Sequence, residues 1–246
     1  MTFVLRRALL ASAAMGGEAY WSRIYNTERA SLIGLWRQNE TSGATAVDIS
    51  PQANNGAYTG VDLANAAGPD GTYVPYYDGT NDYLNIYSAG LNTDFSGAAG
   101  TILAWAKVSG AGAWADGVAR SIVWMEVDAN NQIYIQKSAG NNRVNYKYGA
   151  AGTSNFYGVT SISPTGWVCY ALTWSAAADK VIVYYNGVPQ TTMATLGVWA
   201  GNLSATKCTV GSTYTTPGSV WAGWIGPVAI WSKALTAGQI AELSSI

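Results

Sequence analysis

The chain has no histidine, two cysteines and only 11% charged residues in 246. Each scarcity removes a class of function. Without histidine there is no Ser-His-Asp triad, no Cys-His dyad and no imidazole-ligated metal. Two cysteines are too few for a zinc cage or a disulfide framework. Cys169 and Cys208 each lie in an apolar, strand-like segment and read as two buried thiols or as one bridge between neighbouring strands. A net charge of −1 leaves no overall electrostatic footprint for nucleic acid. No apolar run approaches the roughly 18 residues of a membrane span.

What is plentiful is aromatic: 11 Trp and 16 Tyr. An average soluble domain carries about 25% charged residues, so this surface must be built largely from Ser, Thr, Asn, Gly and Tyr. Such a surface suits an extracellular protein, a sugar-facing module or a subunit packed among neighbours. A chain of this length buries about three quarters of its unfolded surface and needs no metal or disulfide to hold a core.

The first 14 residues have the composition of a secretory signal in the wrong order, with Arg6 and Arg7 following apolar residues rather than preceding them. They are expected to remain as an arm. Residues 18–31 form a helical candidate in which Tyr20 and Ile24, and Trp21 and Tyr25, recur at helical spacing. Beyond it the chain is short strands and dense turn signals, such as Pro69-Asp70-Gly71, Asp78-Gly79 and Asn186-Gly187. Asn186-Gly187 after a β-branched and aromatic run predicts a tight hairpin. Thr236 with Gln239 three residues on predicts a capping box opening a short C-terminal helix. Many short strands without alternating helices argue a sandwich or barrel. The division expected is an arm and helix over 1–31 and one β-sandwich over 32–246.

Six segments in order resemble a laminin-G-like domain of the concanavalin-like superfamily: 33–56 around Trp36 and Asp48, 77–84, 102–107, 167–174, 183–187 and 223–243. The resemblance implies an all-β fold, a two-sheet antiparallel jelly-roll sandwich, with loops at the rim. It does not imply one function, since lectins, adhesion modules, pentraxins, glycoside hydrolases and phage virion proteins share the fold. The arm and helix leading into the sandwich also resemble arrangements common in phage structural proteins.

Four groups of residues are candidates for function. Trp124, Glu126 and Asp128 share one face of a strand and resemble the start of a laminarinase-type hydrolase motif. Retaining hydrolysis needs a second carboxylate, and the positions where it belongs hold Asn130 and Asn131. Asp128 reads instead as part of a hairpin turn. Asp78, Asn81 and Asp82 sit where pentraxin-like relatives place a Ca²⁺ loop, although the matching second loop, 211–217, lacks a carboxylate; the alternative is a turn capped by the two Asp side chains. Trp114, Trp124, Trp199, Tyr214 and Trp221 lie in or beside Gly- and Ser-rich loops, where exposed rings stack on sugars or meet a protein partner. Arg6, Arg7, Tyr20 and Trp21, with Arg23 and Arg29, are candidates for docking onto another subunit, the alternative for the arginines being solvated charges. The expected function is a non-catalytic structural or adhesion module of a virion or cell surface, within an oligomer or assembly, with glycans as candidate ligands and Ca²⁺ as the candidate cofactor. A secreted lectin is the alternative, and a glycoside hydrolase using Glu126 the third reading.

Overall fold

The computed structural model describes residues 20–140 and 142–246. Within them, two eight-stranded antiparallel sheets stack face to face. Sheet I contains β1 (Leu32–Trp36), β4 (Asp62–Ala67), β5 (Tyr73–Asp78), β7 (Ala99–Val108), β12 (Val168–Ser175), β13 (Lys180–Tyr185), β14 (Val188–Met193) and β16 (Ala222–Trp231). Its order is β14-β13-β12-β7-β16-β5-β4, with β1 pairing the far half of β16. Sheet II contains β2 (Thr45–Ala46), β3 (Gly56–Thr59), β6 (Tyr83–Asn85), β8 (Arg120–Asp128), β9 (Asn131–Lys137), β10 (Val144–Ala150), β11 (Thr153–Val159) and β15 (Cys208–Val210). Its order is β11-β10-β9-β8-β15-β6-β3-β2.

The sequence of the central strands states which sheet is covered twice. In β7, β12 and β16 almost every residue is buried, whereas β3 alternates buried and exposed. Continuous burial requires an apolar partner on both faces. One partner is sheet II: Ile102, Ala104, Ala106 and Val108 of β7 enter the core between the sheets. The other is helical. Leu103 and Trp105 of β7 point the opposite way, into a second cluster with Tyr20, Trp21 and Ile24 of α1 (described over 20–26) and Ile240 and Leu243 of α3 (Ala237–Leu243).

Tyr20 is the pin of that cluster. Its hydroxyl accepts from the Trp105 indole at 2.7 Å and donates to the Leu243 carbonyl at 3.1 Å, joining helix, sheet and C-terminus. This corrects one expectation. Tyr20 and Trp21 were assigned to docking on another subunit, but both are buried against their own sheet. A helix with one apolar face signals that something must cover it, and here the uncovered face of sheet I is that partner. Arg23 donates to the Ser245 carbonyl and Arg29 to the Tyr25 hydroxyl, so these cations too work within the chain. Arg6 and Arg7 lie outside the described residues.

The α-helical part also ends earlier than the expected Ser31. Glu28 takes a left-handed conformation (φ 48°), its carboxylate held by Lys233 and Gln239, and a short 3-10 turn, Arg29–Ser31, leads into β1. The expected hairpin is present with positive φ at Asn186 and Gly187, and the Thr236/Gln239 capping box opens α3. Cys169 and Cys208 are both free and buried, in the helix-covered cluster and the inter-sheet core respectively. Burial pushes each thiol up to about 12.

Replacing Tyr20 by Ala removes both the packing and the hydrogen-bond bridge, and is expected to cost about 3–5 kcal/mol in urea denaturation. A loss below about 0.5 kcal/mol would mean that the helix does not hold the sheet.

Candidate functional site

The helices seal the centre of sheet I, while at its β4–β5 end Trp224 meets Tyr76 and Lys107 and donates to Asn65 in partly open surroundings. Two further places bring polar and aromatic side chains to solvent together. These are the loops at one rim of the sandwich and the outer face of sheet II. The five rings picked out as candidate sugar platforms divide three ways. Trp114 and Trp221 are 1% and 0% exposed and belong to the inter-sheet core. Their indoles donate inward, to the carbonyls of Pro164 and Lys107. They cannot stack on a ligand, which corrects the expectation for both: neighbouring glycines and serines suggested open loops, but the loops fold back under the sandwich.

Trp199 is the ring at the rim. The loop after β14 carries it over a cleft of about 480 Å³ formed with Phe95, Ser96, Gly97, Ala98, Ala176, Leu196, Gly197 and Val198. Phe95 meets the indole edge-on, with ring centroids 5.4 Å apart, and Tyr148 lies tilted beside it at 6.3 Å. Gly97 allows the close seating, since a Cβ there would collide with the Trp199 side chain. The loop is fixed further along by Asn131, whose side-chain oxygen accepts from the Ala200 N–H at 3.0 Å and the Ala151 N–H at 3.3 Å. The cleft is therefore preformed, with a half-buried indole on one wall and Val198, 79% exposed, at its lip.

Trp124 and Tyr214 come together elsewhere, on the outer face of sheet II around Glu126. Strand alternation sends Val123 and Met125 into the core and Trp124 and Glu126 outward. One Glu126 oxygen pairs with the Lys207 ammonium at 2.6 Å; the other accepts from the Trp124 indole at 2.8 Å and the Tyr214 hydroxyl at 3.2 Å. Trp124 in turn stacks on Tyr134 with centroids 4.2 Å apart and planes within 4°. The hydrogen bond to Glu126 raises the Lys207 ammonium, and desolvation, with Glu126 nearby, raises the Tyr214 phenol. Glu126 is thus buried with both carboxyl oxygens engaged. Asp128 does cap the hairpin, accepting from the N–H groups of Asn130 and Asn131, and these bonds hold its carboxyl below the usual range. Asn131, at one of the positions where a hydrolase motif needs its acid, is spent on tying loops.

The residues considered for a Ca²⁺ loop bond within their own turn. Asp78 accepts from the Thr80 N–H and Asp82 from the Asp78 N–H, each at 2.7 Å, so both carboxylates cap the turn, while Asn81 is exposed. Desolvation pushes the Asp82 carboxyl up. Among the described residues no three His, Cys, Asp or Glu side chains gather to hold a metal ion.

With this geometry in place, the chain belongs to the concanavalin A-like lectin/glucanases superfamily, whose family profile matches residues 78–241. Solved structures share the fold at low identity. The receptor-binding domain of botulinum neurotoxin mosaic serotype C/D superposes with a TM-score of 0.67 at 14% identity, covering 89% of this chain and 51% of that one. Domain 4 of the extracellular GH43 arabinanase AbnA from Geobacillus stearothermophilus, solved with arabinotriose, gives 0.60 at 16% identity, covering 87% and 98%. The Trypanosoma rangeli sialidase, solved with sialic acid, gives 0.65 at 11% identity, covering 96% and 38%. The chain therefore spans about half of the neurotoxin domain and nearly all of the arabinanase domain. No curated protein is a significant sequence match.

Two outcomes test this description. Glu126→Gln leaves Lys207, Trp124 and Tyr214 around a neutral amide and is expected to cost about 1–3 kcal/mol in denaturant unfolding; an unchanged midpoint would contradict the engaged-carboxyl description. Near the start of β8, desolvation works against ionisation of Asp116, but hydrogen bonds from Lys137, the Val118 N–H and Arg120 outweigh it and hold its carboxyl at about 2. Its folded value lies below an unfolded value of about 4, so this stabilisation is complete above about pH 4 and fades as pH falls toward 2. Asp116→Asn should flatten the loss of stability over that interval, and an undiminished slope would count against the ion pair.

Proposed function

We propose that the protein is a non-catalytic glycan-binding module, secreted or displayed on a cell or virion surface, that takes its ligand in the Trp199 cleft. The observation that carries this reading is the cleft itself. It is a preformed space of about 480 Å³, within the size range of small-ligand sites, walled by an indole and floored by small residues and backbone. An indole face of this kind packs against the apolar face of a sugar ring, and the indole N–H remains to serve a hydroxyl. Support for the non-catalytic part comes from Glu126, whose oxygens are occupied, and from Asp128, which is committed to the turn. Structural neighbours were solved with arabinotriose and with sialic acid, which makes saccharides the first ligand class to try. The exposed Val198 beside Trp199 favours a second reading, a protein receptor at the same rim; one neurotoxin binding domain was solved with rat synaptotagmin II.

Screening on an oligosaccharide array followed by calorimetry tests the proposal. Trp199→Ala is expected to weaken the best saccharide at least tenfold, about 1.4 kcal/mol, and Trp199→Phe, which keeps a ring on Phe95, to weaken it less. Full retention of binding in Trp199→Ala, or an array with no saccharide bound, would overturn the reading. Trp114→Ala and Trp221→Ala should instead lower stability by about 3–5 kcal/mol, as core truncations do.

A further inference from the structure

The outer face of sheet II carries an arrangement that the Trp199 cleft does not use. Along β10, Val144, Tyr146 and Tyr148 enter the inter-sheet core. The alternate positions, Asn145 and Lys147, therefore face outward, with Arg143 continuing the row at the strand's start. Arg143 and Lys147 are about 13 Å apart along the strand, at about 3.3 Å per residue. Among the described residues neither makes an ion pair, Arg143 reaching only the Ser138 hydroxyl at 3.5 Å, whereas Arg120, Lys137, Lys207 and Lys233 each face a carboxylate. The acid that acts on Lys147 is Glu126, and both of its oxygens are already taken. The strip therefore holds two positive charges without a carboxylate of their own among the described residues, on a protein whose net charge is −1.

Its surroundings are polar and aromatic rather than acidic. Asn145, between the two cations, is 8% exposed and its side-chain oxygen has no partner; the buried Nε of Arg143 has none either. The Arg143 stem lies over Gly158, where a Cβ would collide with it, and its guanidinium sits 5.9 Å from the centre of the Phe156 ring. In the neighbouring strand, Gln136 pairs in register with Asn145, and Tyr134 with Lys147. Desolvation lowers the Lys147 ammonium, partly offset by Glu126, so an anion placed beside it would be favoured.

We propose that this strip is a second binding site, in which Arg143 and Lys147 hold the anionic groups, carboxylate or sulfate, of an acidic saccharide. Arg offers a planar fork to either group and Lys a point charge. Tyr134, Gln136 and Asn145 supply hydrogen-bonding partners for ring hydroxyls between them. The Arg143 side chain leans over Gly158 toward Phe156, which pairs in register with Lys147, so the two cations converge on one stretch of the face. They fall short of the six or more phosphate contacts that commonly anchor a nucleic acid.

The test is calorimetric titration of the full chain with four probes: tetragalacturonate (carboxylate only), sulfated maltotetraose (sulfate only), unmodified maltotetraose, and a decathymidylate. We expect one or both acidic saccharides to bind at least tenfold more tightly than maltotetraose, with affinity falling as salt rises. Which of the two binds identifies the anionic group. Lys147→Gln combined with Arg143→Gln should abolish that preference, while Lys147→Arg should keep it. Equal binding of charged and uncharged saccharides, undiminished acidic binding in the double variant, decathymidylate bound as tightly as the saccharides, or no probe bound would each overturn the site. A protein that binds neutral sugars through Trp199 but shows no acidic preference would lose this inference alone.

Discussion

The constraint on which the rest depends is that sheet I is buried on both faces. An antiparallel sheet ordinarily needs one apolar face, but β7, β12 and β16 are apolar on both. The second face obliges the chain to spend α1 and α3 as a lid. Tyr20 fastens that lid by bridging Trp105 and Leu243, and Trp231 adds a bond from its indole to the Thr27 carbonyl. The consequence is local: the helices close the centre of the outer face of sheet I, around Trp105 and Trp231, while its β4–β5 end keeps Tyr76, Trp224 and Lys107 partly open.

Sheet II is held open by the opposite economy. Its outward side chains are amides, tyrosines, a stacked Trp124–Tyr134 pair and a few charges, and the buried Glu126 pairs with Lys207 and accepts from two neutral donors. Each Glu126 oxygen has a partner, so this carboxylate ties Lys207, Trp124 and Tyr214 into one group on the sheet. The residues that resemble a hydrolase motif thereby shape the face beside the β10 strip.

Much of the fold was legible because its signals are local. Alternation, the Asn186-Gly187 turn, the Thr236/Gln239 box and six ordered segments all speak within a few residues of themselves. Tyr20 and Trp21 were misplaced because an amphipathic helix announces that it must dock, not onto what. The missing signal was in β7, where apolar residues at successive positions, Leu103 and Trp105 as well as Ile102 and Ala104, called for a second cover. Trp114 and Trp221 were misread because glycine and serine neighbours describe the loop and not the ring's direction. Trp199 has the same neighbourhood and does line a cleft, so only packing separates them. The Arg143-Asn145-Lys147 row was open to reading from strand alternation, but nothing in a single sequence says which cations will lack a carboxylate across the sheet.

The central claim, that α1 and α3 seal the centre of sheet I around Trp105 and Trp231, is tested most directly by mapping a bound saccharide with ¹⁵N-resolved NMR. The account predicts shifts at the Trp199 indole N–H, at the amides of its loop, or along the outward row of β10, with the indoles of Trp105 and Trp231 and the amides of α3 unmoved. Shifts centred on Trp105, Trp231 and α3 would place the ligand on the face described here as sealed, and would contradict it.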